Sequence, residues 1–256
     1  GHEFFAVKAA LFKYLVEEQG VKHFVLEENL AVCERFDAYI AGTLQADAKT
    51  LVKEANYTWP YHTAEFSKLL EWMKEYNITK PQAQKIKLWG IDIQFAYQSL
   101  RLLQERIRSI DSSIDLYVPE VPRQERYKYR APDSTVTAIE ALVGSLGNSS
   151  PDKAYLARHL DAVKMKNTYS NMQRDGMYST ETSSRYRDSC MAVNVNRILT
   201  HVEKENKMMV WAHNAHVAKS FDTAVRKAPM GAFLREMVPG EVLSIGFDYN
   251  QGKLLL

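Results

Sequence analysis

The sequence lacks the features that identify several classes of protein. No apolar run approaches the roughly 18 residues that a membrane-spanning helix needs. The only two cysteines, Cys33 and Cys190, have neither a metal-binding nor a disulfide spacing, which is typical of a reducing compartment. The 33 basic and 31 acidic residues nearly cancel, to a formal net charge of +2, so charge does not favour nucleic acid or an anionic membrane as a partner. We therefore expect a cytoplasmic protein that binds neither nucleic acid nor a membrane.

Well-known catalytic signatures are missing as well. The glycine-rich loops that bind phosphates or dinucleotides do not occur. The Gly-x-Ser-x-Gly turn of many serine hydrolases is also absent, because the nearest string, Val143–Gly147, is out of register and lies at the end of a predicted helix. These absences give no reason to expect a cofactor. They leave acids and histidines as the groups that could carry chemistry.

Apolar patterning predicts the fold class. With 256 residues, 46% hydrophobic and 25% charged, the chain can bury a substantial core. Short apolar runs predict strands at 22–26, 86–91, 208–212 and 242–247. Spacings of three and four predict helices at 3–18, 36–41, 63–76, 95–110, 135–146, 152–172, 186–206 and 230–237. This alternation predicts an α/β fold with a mostly parallel central sheet flanked by helices.

The same patterning predicts how the chain is divided. We expect one domain over residues 1–256, with a helical and irregular insertion at about 111–184. Within the insertion, residues 116–132 carry three prolines and no apolar period, which predicts an irregular connection. Residues 176–184 are expected to form a loop.

Polar side chains follow three of the predicted strands at the points where the strands end. Glu27 and Glu28 follow the first strand, and Asp92 and Gln94 follow the second. His213, Asn214 and His216 follow the third, directly after a short apolar run. Because parallel strands bring their carboxyl ends to one edge of a sheet, we expect these groups to meet in one crevice.

Each of these residues also has a simpler interpretation. An acid after a strand often caps the next helix, and a single histidine is more often structural than catalytic. His213 and His216 with a carboxylate could instead hold a metal ion, although their spacing at a strand exit does not enforce a shared ligand. The alternative without a metal is acid–base chemistry, in which a histidine held by a carboxylate activates water.

Four segments of the sequence resemble the erythromycin esterase family. The stretch Val210–Val217 is similar to the signature of that family. Glu3–Phe5 and the strand that ends in Glu27 are similar to the first helix and strand of the family. Trp89–Gln94 is similar to the end of its next strand, and Arg187–Asp188 is similar to part of the long helix before the signature. The similarity covers nearly the whole chain and keeps the order of the family.

The resemblance implies a site and a reaction. In the family, water is thought to attack an ester carbonyl, with a histidine from a Gly-Glu-x-x-His segment as the base. Carried over by position, Glu27, His213 and His216 are the catalytic glutamate and histidines, and Lys8 stands where the macrolide esterases have arginine. The Gly-Glu-x-x-His segment would end about two residues before Gly1 and does not occur in this sequence; His2 could serve as a supporting partner.

The sequence therefore predicts a metal-independent hydrolase of small-molecule esters or lactones. His213 and His216 would transfer protons or stabilise the oxyanion, and Glu27 would hold a histidine in its productive tautomer. We expect the following residues to orient the substrate: Glu28, Asp92, Gln94, Arg187 and Asn214. The alternative is a binding protein, or one that processes carbohydrate or cell-envelope material, on the same scaffold. The sequence does not indicate the oligomeric state.

Overall fold

A parallel three-stranded sheet forms the centre of the computed structural model. The structure describes residues 2–54, 61–114, 116–173, 180–201, 207–220, 228–238, 240 and 242–248, without the side chains of residues 123, 124 and 127. The strands are β1 (His23–Asn29), β2 (Lys87–Asp92) and β3 (Met208–Trp211), in the order β2-β1-β3. His23 stands opposite both Lys87 and Met208, so β1 lies between its two neighbours with their carboxyl ends on one edge.

Ten α-helices surround the sheet in the part of the chain that the structure describes. They are α1 (His2–Gln19), α2 (Leu30–Ile40), α3 (Ala48–Glu54), α4 (Ala64–Ile78), α5 (Tyr97–Ile110), α6 (Asp133–Ser145), α7 (Pro151–Met172), α8 (Glu181–His201), α9 (Asn214–Val217) and α10 (Met230–Met237). Short 3₁₀ turns occupy Gln82–Gln84 and Arg123–Lys128. None of the described helices is long and apolar enough to cross a bilayer. The α/β class with helical insertions is confirmed.

The central strand contributes to two cores because its side chains alternate between faces. Phe24 and Leu26 pack in one cluster with α1, α2 and α4, around Phe12 and Phe66. Val25 points the other way and packs with residues of α8 and α10. A separate cluster joins α5, α6 and α7. The single-domain boundary at 1–256 and the insertion at about 111–184 stay predictions.

Local hydrogen bonds explain two of the differences from the predicted helices. Helix α2 begins at Leu30, not at 36, because the Asn29 side chain accepts the Val32 N–H and caps the helix. Helix α8 begins at Glu181, so a loop over all of 176–184 is wrong. Thr180 Oγ1 accepts the Ser183 N–H, and Ser183 Oγ accepts the Thr180 N–H, which is a reciprocal cap at the helix start.

Two further predictions need correction or fall outside the description. Residues 242–247 were expected to be a strand, but they form no regular element; Phe247 is held by the Asn214 side chain, and no described strand pairs with them. Helix α3 was not predicted, because its seven residues are too few for a clear apolar period. The predicted end of α8, at 202–206, lies outside the described residues.

Candidate active site

The sheet brings side chains from all three strand ends to one place. Glu27 lies near the end of β1, Asp92 is the last residue of β2, and His213 follows β3 by two positions. Since β1 lies between its neighbours, Glu27 lies between the other two strand ends. Helix α8 crosses beside β2 and carries Arg187 and Asp188 toward them.

Arg187 is the centre of a mostly buried network of charged groups. Its Nε and Nη2 atoms donate to the two oxygens of Asp92, each at 2.8 Å, in a bidentate pair. The same Nη2 donates to Glu27 Oε1 at 2.8 Å, and Nη1 lies 3.1 Å from His216 Nε2. Arg187 therefore ties β1, β2 and α9 to α8.

His216 faces carboxylates on both sides of its ring. Its Nδ1 lies 2.5 Å from Asp188 Oδ1, and its Nε2 lies 3.2 Å from Glu27 Oε1. Asp188 Oδ1 also accepts the N–H of Met230 at the start of α10, where the helix dipole favours a negative charge. A neutral ring would accept from Arg187 at Nε2, whereas a protonated ring would donate to Glu27 from the same atom.

The electrostatics of the network favour the protonated form of His216. Burial disfavours the imidazolium, but the hydrogen bonds to Asp188 and Glu27 and the Glu27 charge outweigh it and raise the His216 pKa to about 9. Burial likewise opposes the Glu27 carboxylate, but His216, Arg187 and the N–H of His213 lower the Glu27 pKa to about 2. Both groups are thus charged at neutral pH.

His213 stands at the edge of this network and faces solvent. Its backbone N–H donates to Glu27 Oε2 at 2.7 Å, so both oxygens of Glu27 accept hydrogen bonds. Its ring caps α9, since Nδ1 accepts the Ala215 N–H at 3.1 Å. In the neutral ring the proton then sits on Nε2, which makes that atom a donor. The exposed His213 ring lies 6.4 Å from the His216 ring, centroid to centroid.

Lys8 reaches the site from α1 and has several partners of its own. Its Nζ donates to the carbonyl of Ala212 at 3.4 Å and lies 5.2 Å and 5.3 Å from the ring centres of Trp211 and Phe247. Burial lowers the Lys8 pKa, and the charge of Glu27 opposes that shift. Lys8 therefore sits beside Glu27 and is held by aromatic faces.

The remaining predicted residues have other surroundings. Glu28 is buried, and its Oε1 accepts both the N–H and the side-chain amide of Asn29. Asn214 binds the backbone of Phe247 through both ends of its amide. The half-buried Gln94 donates its backbone N–H to Asp92 Oδ1 at 3.1 Å. Substrate binding by these residues stays a prediction.

The candidate supporting partner from the first helix lies on an exposed surface. His2 contacts Glu3 and Glu65, each at 3.3 Å. Its nearest carboxylates thus belong to α1 and α4. A supporting role for His2 stays a prediction.

Asp188 was not among the predicted site residues, and only its position next to Arg187 in the family-like segment could have suggested it. Adjacent residues of a helix point about 100° apart, so sequence alone does not show that both face the same crevice.

The described residues contain no group of three or more His, Cys, Asp or Glu side chains arranged to hold a metal ion.

A groove runs beside the network, between α7, α8 and β2. Its volume is about 700 Å³, and Asp92 forms part of its wall. Its other walls include Trp89 from β2, Ala154 and Ala162 from α7, and Ile198 from α8. Charged side chains also line the groove, which reaches the Asp92 side of the Arg187 network: Arg158, Asp161, Arg197 and His201.

Comparison with known proteins assigns the family. The model of the erythromycin esterase family matches residues 16–255. The chain belongs to the erythromycin esterase family. It is also similar to erythromycin esterase type II from Escherichia coli, with 21% identity over 290 residues, 98% of this chain and 66% of the relative.

Solved structures support the fold of this family member. A protein from Bacillus cereus has a TM-score of 0.71 at 21% identity over 92% of this chain, and a succinoglycan biosynthesis protein has 0.63 at 21% over the same share. A mutant of the erythromycin esterase EreC in its open conformation has 0.62 at 22%, also over 92%. The chain spans 60%, 60% and 64% of these proteins, respectively.

Proposed function

We propose that this protein is an enzyme that hydrolyses a carboxylic ester or lactone of a small molecule with water as the nucleophile, and that the site around Arg187 is its active site. Membership of the erythromycin esterase family supports a hydrolase. The observation that carries the proposal is the Arg187 network. It holds Glu27 and His216 in place, and the His213 ring lies exposed at its edge. Rigid placement of polar groups is what electrostatic catalysis requires.

Glu27 acts as a positioning residue in this proposal. Arg187 and the His213 N–H donate to its two oxygens, and these hydrogen bonds hold the carboxylate in place and reduce its nucleophilicity toward a carbonyl carbon. Its low pKa keeps it charged across the physiological range. Glu27 thereby fixes the backbone of His213 and balances the charge of His216.

The two histidines take different roles because their rings have different partners. His216 is protonated at neutral pH, so it contributes positive charge and does not act as a base. His213 presents Nε2–H as a donor, which suits stabilisation of the negative oxygen that develops when water attacks the carbonyl. A donor of this kind is worth roughly 10²–10³-fold in rate.

The water-activating base in this proposal is the histidine of the Gly-Glu-x-x-His segment that the family resemblance implies. That segment does not occur in residues 1–256. The residues of this chain then supply the oxyanion donor and the positioning network. No step requires a metal ion, and elemental analysis of purified protein tests that point directly, since stoichiometric zinc or manganese would contradict it.

The test is hydrolysis of a panel of aryl esters, simple lactones and macrolides by the full-length protein. His213→Ala should reduce kcat by roughly 10²–10³-fold on any responsive substrate, because the oxyanion donor is lost. Thermal stability should fall only modestly, by about 1 kcal/mol, since the exposed ring contributes one cap to the short helix α9. The exposed His62→Ala variant is the control and should keep full activity. Normal turnover by His213→Ala would refute the assigned role.

A second candidate is a protein that processes carbohydrate or cell-envelope material on the same scaffold. The similarity to a solved succinoglycan biosynthesis protein favours it, with a TM-score of 0.63. Binding of acidic oligosaccharides together with inactivity on every ester and lactone of the panel would support this candidate over the hydrolase.

A further inference from the structure

The groove between α7, α8 and β2 has basic side chains on both of its helical walls. Arg158 lies on the α7 wall, and Arg197 lies on the α8 wall. His201 follows Arg197 by four positions, so it lies on the same face of α8 one turn further on, and it also lines the groove. The acids of the lining are Asp161 and Asp92. The groove therefore contains charged groups that can recognise a polar end of a ligand.

The acids of the groove already have partners. Both oxygens of Asp92 accept from the Arg187 guanidinium, in the bidentate pair of the network. Asp161 Oδ2 lies 3.1 Å from Arg197 Nη2, across the line where α7 and α8 meet. Asp92 thus needs no cation from a ligand, and Asp161 fixes the position of Arg197 on the groove wall.

The two arginines keep N–H donors for a ligand. A guanidinium group carries five N–H donors. Arg158 uses Nη2 on Glu34 Oε1, and Arg197 uses Nη2 on Asp161. Among the described residues, no partner takes the Nε or Nη1 donors of either arginine. The two side chains are 47% and 48% exposed, so these donors are accessible.

The charge around the arginines indicates which anion fits. Glu34 and Asp161 each balance one guanidinium, so this end of the groove carries little excess charge. A head group with one negative charge, such as a carboxylate, therefore fits better than a dianion such as a phosphate monoester. A carboxylate also matches the planar fork of a guanidinium, which can donate two parallel N–H bonds to it.

The rest of the groove suits an apolar body. Trp89 from β2, Leu30 from α2 and Ile198 from α8 line it, and the small side chains of Ala154 and Ala162 leave space along α7. A volume of about 700 Å³ is in the range of small-molecule sites. The groove thus combines apolar walls with a few polar groups, which is the usual composition of such sites.

We propose that the groove between α7, α8 and β2 binds a small apolar carboxylate, with Arg158 and Arg197 on its carboxylate and Trp89 and Ile198 on its apolar body. Asp92 belongs to both the groove and the Arg187 network, so the ligand lies next to the proposed active site. The ester substrate then carries a free carboxylate besides its ester group. This last step rests on the proposed function, whereas the binding site itself does not.

Calorimetric titration of the full-length protein with naphthoate and with its neutral analogue naphthamide tests the head-group contact. Wild type should bind naphthoate roughly tenfold more tightly, because only the carboxylate forms charge-assisted hydrogen bonds. Arg197→Gln should weaken naphthoate binding by roughly tenfold and change naphthamide binding by less than about twofold. Arg185→Gln is the matched control, since Arg185 is exposed on the same helix and does not line the groove.

Filling the groove tests the contact with the apolar body. Ala154 is exposed on the groove wall, so Ala154→Trp should keep the wild-type Tm and weaken binding of both ligands by roughly tenfold or more. Ala138→Trp, at an exposed position of α6 outside the groove lining, should bind both ligands normally.

Three results would overturn the proposal: no binding of naphthoate by wild type, equal wild-type affinity for the two ligands, or wild-type naphthoate affinity in Arg197→Gln or Ala154→Trp. The titrations need no turnover. Normal naphthoate binding by a protein that is inactive on every ester and lactone would therefore contradict only the proposed function.

Discussion

Two buried histidines of this protein each face a carboxylate, yet their surroundings differ. His216 lies between Asp188 and Glu27, with Arg187 also in contact with its ring. His159, on α7, lies 2.9 Å from Glu34 Oε2, and its buried Nδ1 has no partner among the described residues. Both rings are almost fully buried, so burial does not distinguish them.

The difference lies in the number of charges and elements that meet at each ring. Glu34 is shared between His159 and Arg158 and joins α2 to α7. The His216 ring instead joins charged groups that come from β1 and α8, and Asp188 is further held by the start of α10. We infer that the first pair stabilises helix packing, while the second prepares a charged site.

Neutralising Asp188 is the change with the largest expected effect. Asp188→Asn removes the charge that holds His216 Nδ1 and favours its protonated form, so activity on a responsive ester should fall by roughly 10²–10³-fold, as when a preorganised charge is lost. The variant should also lose about 3 kcal/mol of stability in urea unfolding, since only Glu27 then balances the buried charge of His216. Glu34→Gln is the comparison and should leave activity within a few-fold. Equal losses of activity in both variants would remove the distinction between the two histidines.

The pH dependence of stability sharpens the comparison. The His216 pKa is raised from 6.5 to about 9, so its contribution is fully present below pH 6.5 and is lost as the pH rises through 9. The Glu27 pKa is lowered from 4.5 to about 2, so its contribution is present above pH 4.5 and is lost as the pH falls through 2. Each is on the order of 3 kcal/mol, and part of each is the same attraction between His216 and Glu27.

Unfolding in urea between pH 6 and 10 measures the His216 contribution. Wild type should lose stability above pH 7, and His216→Gln should show a flatter profile in that range. His159→Gln should keep the wild-type slope. An unchanged slope in His216→Gln would show that another group causes the alkaline loss.

Replacing Lys8 is expected to have the smallest effect. Lys8→Arg keeps the positive charge beside Glu27 and the packing on Trp211 and Phe247, so kcat/KM should change by less than about threefold. Steady-state kinetics on a responsive ester measure this change. Lys8→Met removes the charge and should cost more; equal activity in the two variants would mean that the Lys8 charge has no role in the reaction.

The positions that follow the predicted strands account for much of the site's composition. Glu27, Asp92 and His216 were singled out because they follow apolar runs, and the parallel sheet does bring them within one hydrogen-bonded network. Arg187 joined them through the family-like segment before the signature. Their catalytic and binding roles stay predictions that the variants above address.

The sequence could not show how these side chains pair. Asp188 rather than Glu27 holds His216 Nδ1, because α8 packs against β2 and brings Asp188 to that ring. Residues 242–247 have the apolar pattern of a strand but no described strand partner, since a strand needs a neighbour that sequence does not name.

Local patterns thus determined the order of strands and helices and the residues at the strand ends of this protein, since apolar period and capping act over a few neighbouring residues. The protonation of His216 and the hydrogen bonds of Arg187 to Asp92 and Glu27 were decided only by the tertiary structure. These properties depend on burial and on charged groups far apart in the sequence, such as Arg187 and Glu27, which are 160 positions apart. Distance in space, not in sequence, sets the strength of such interactions.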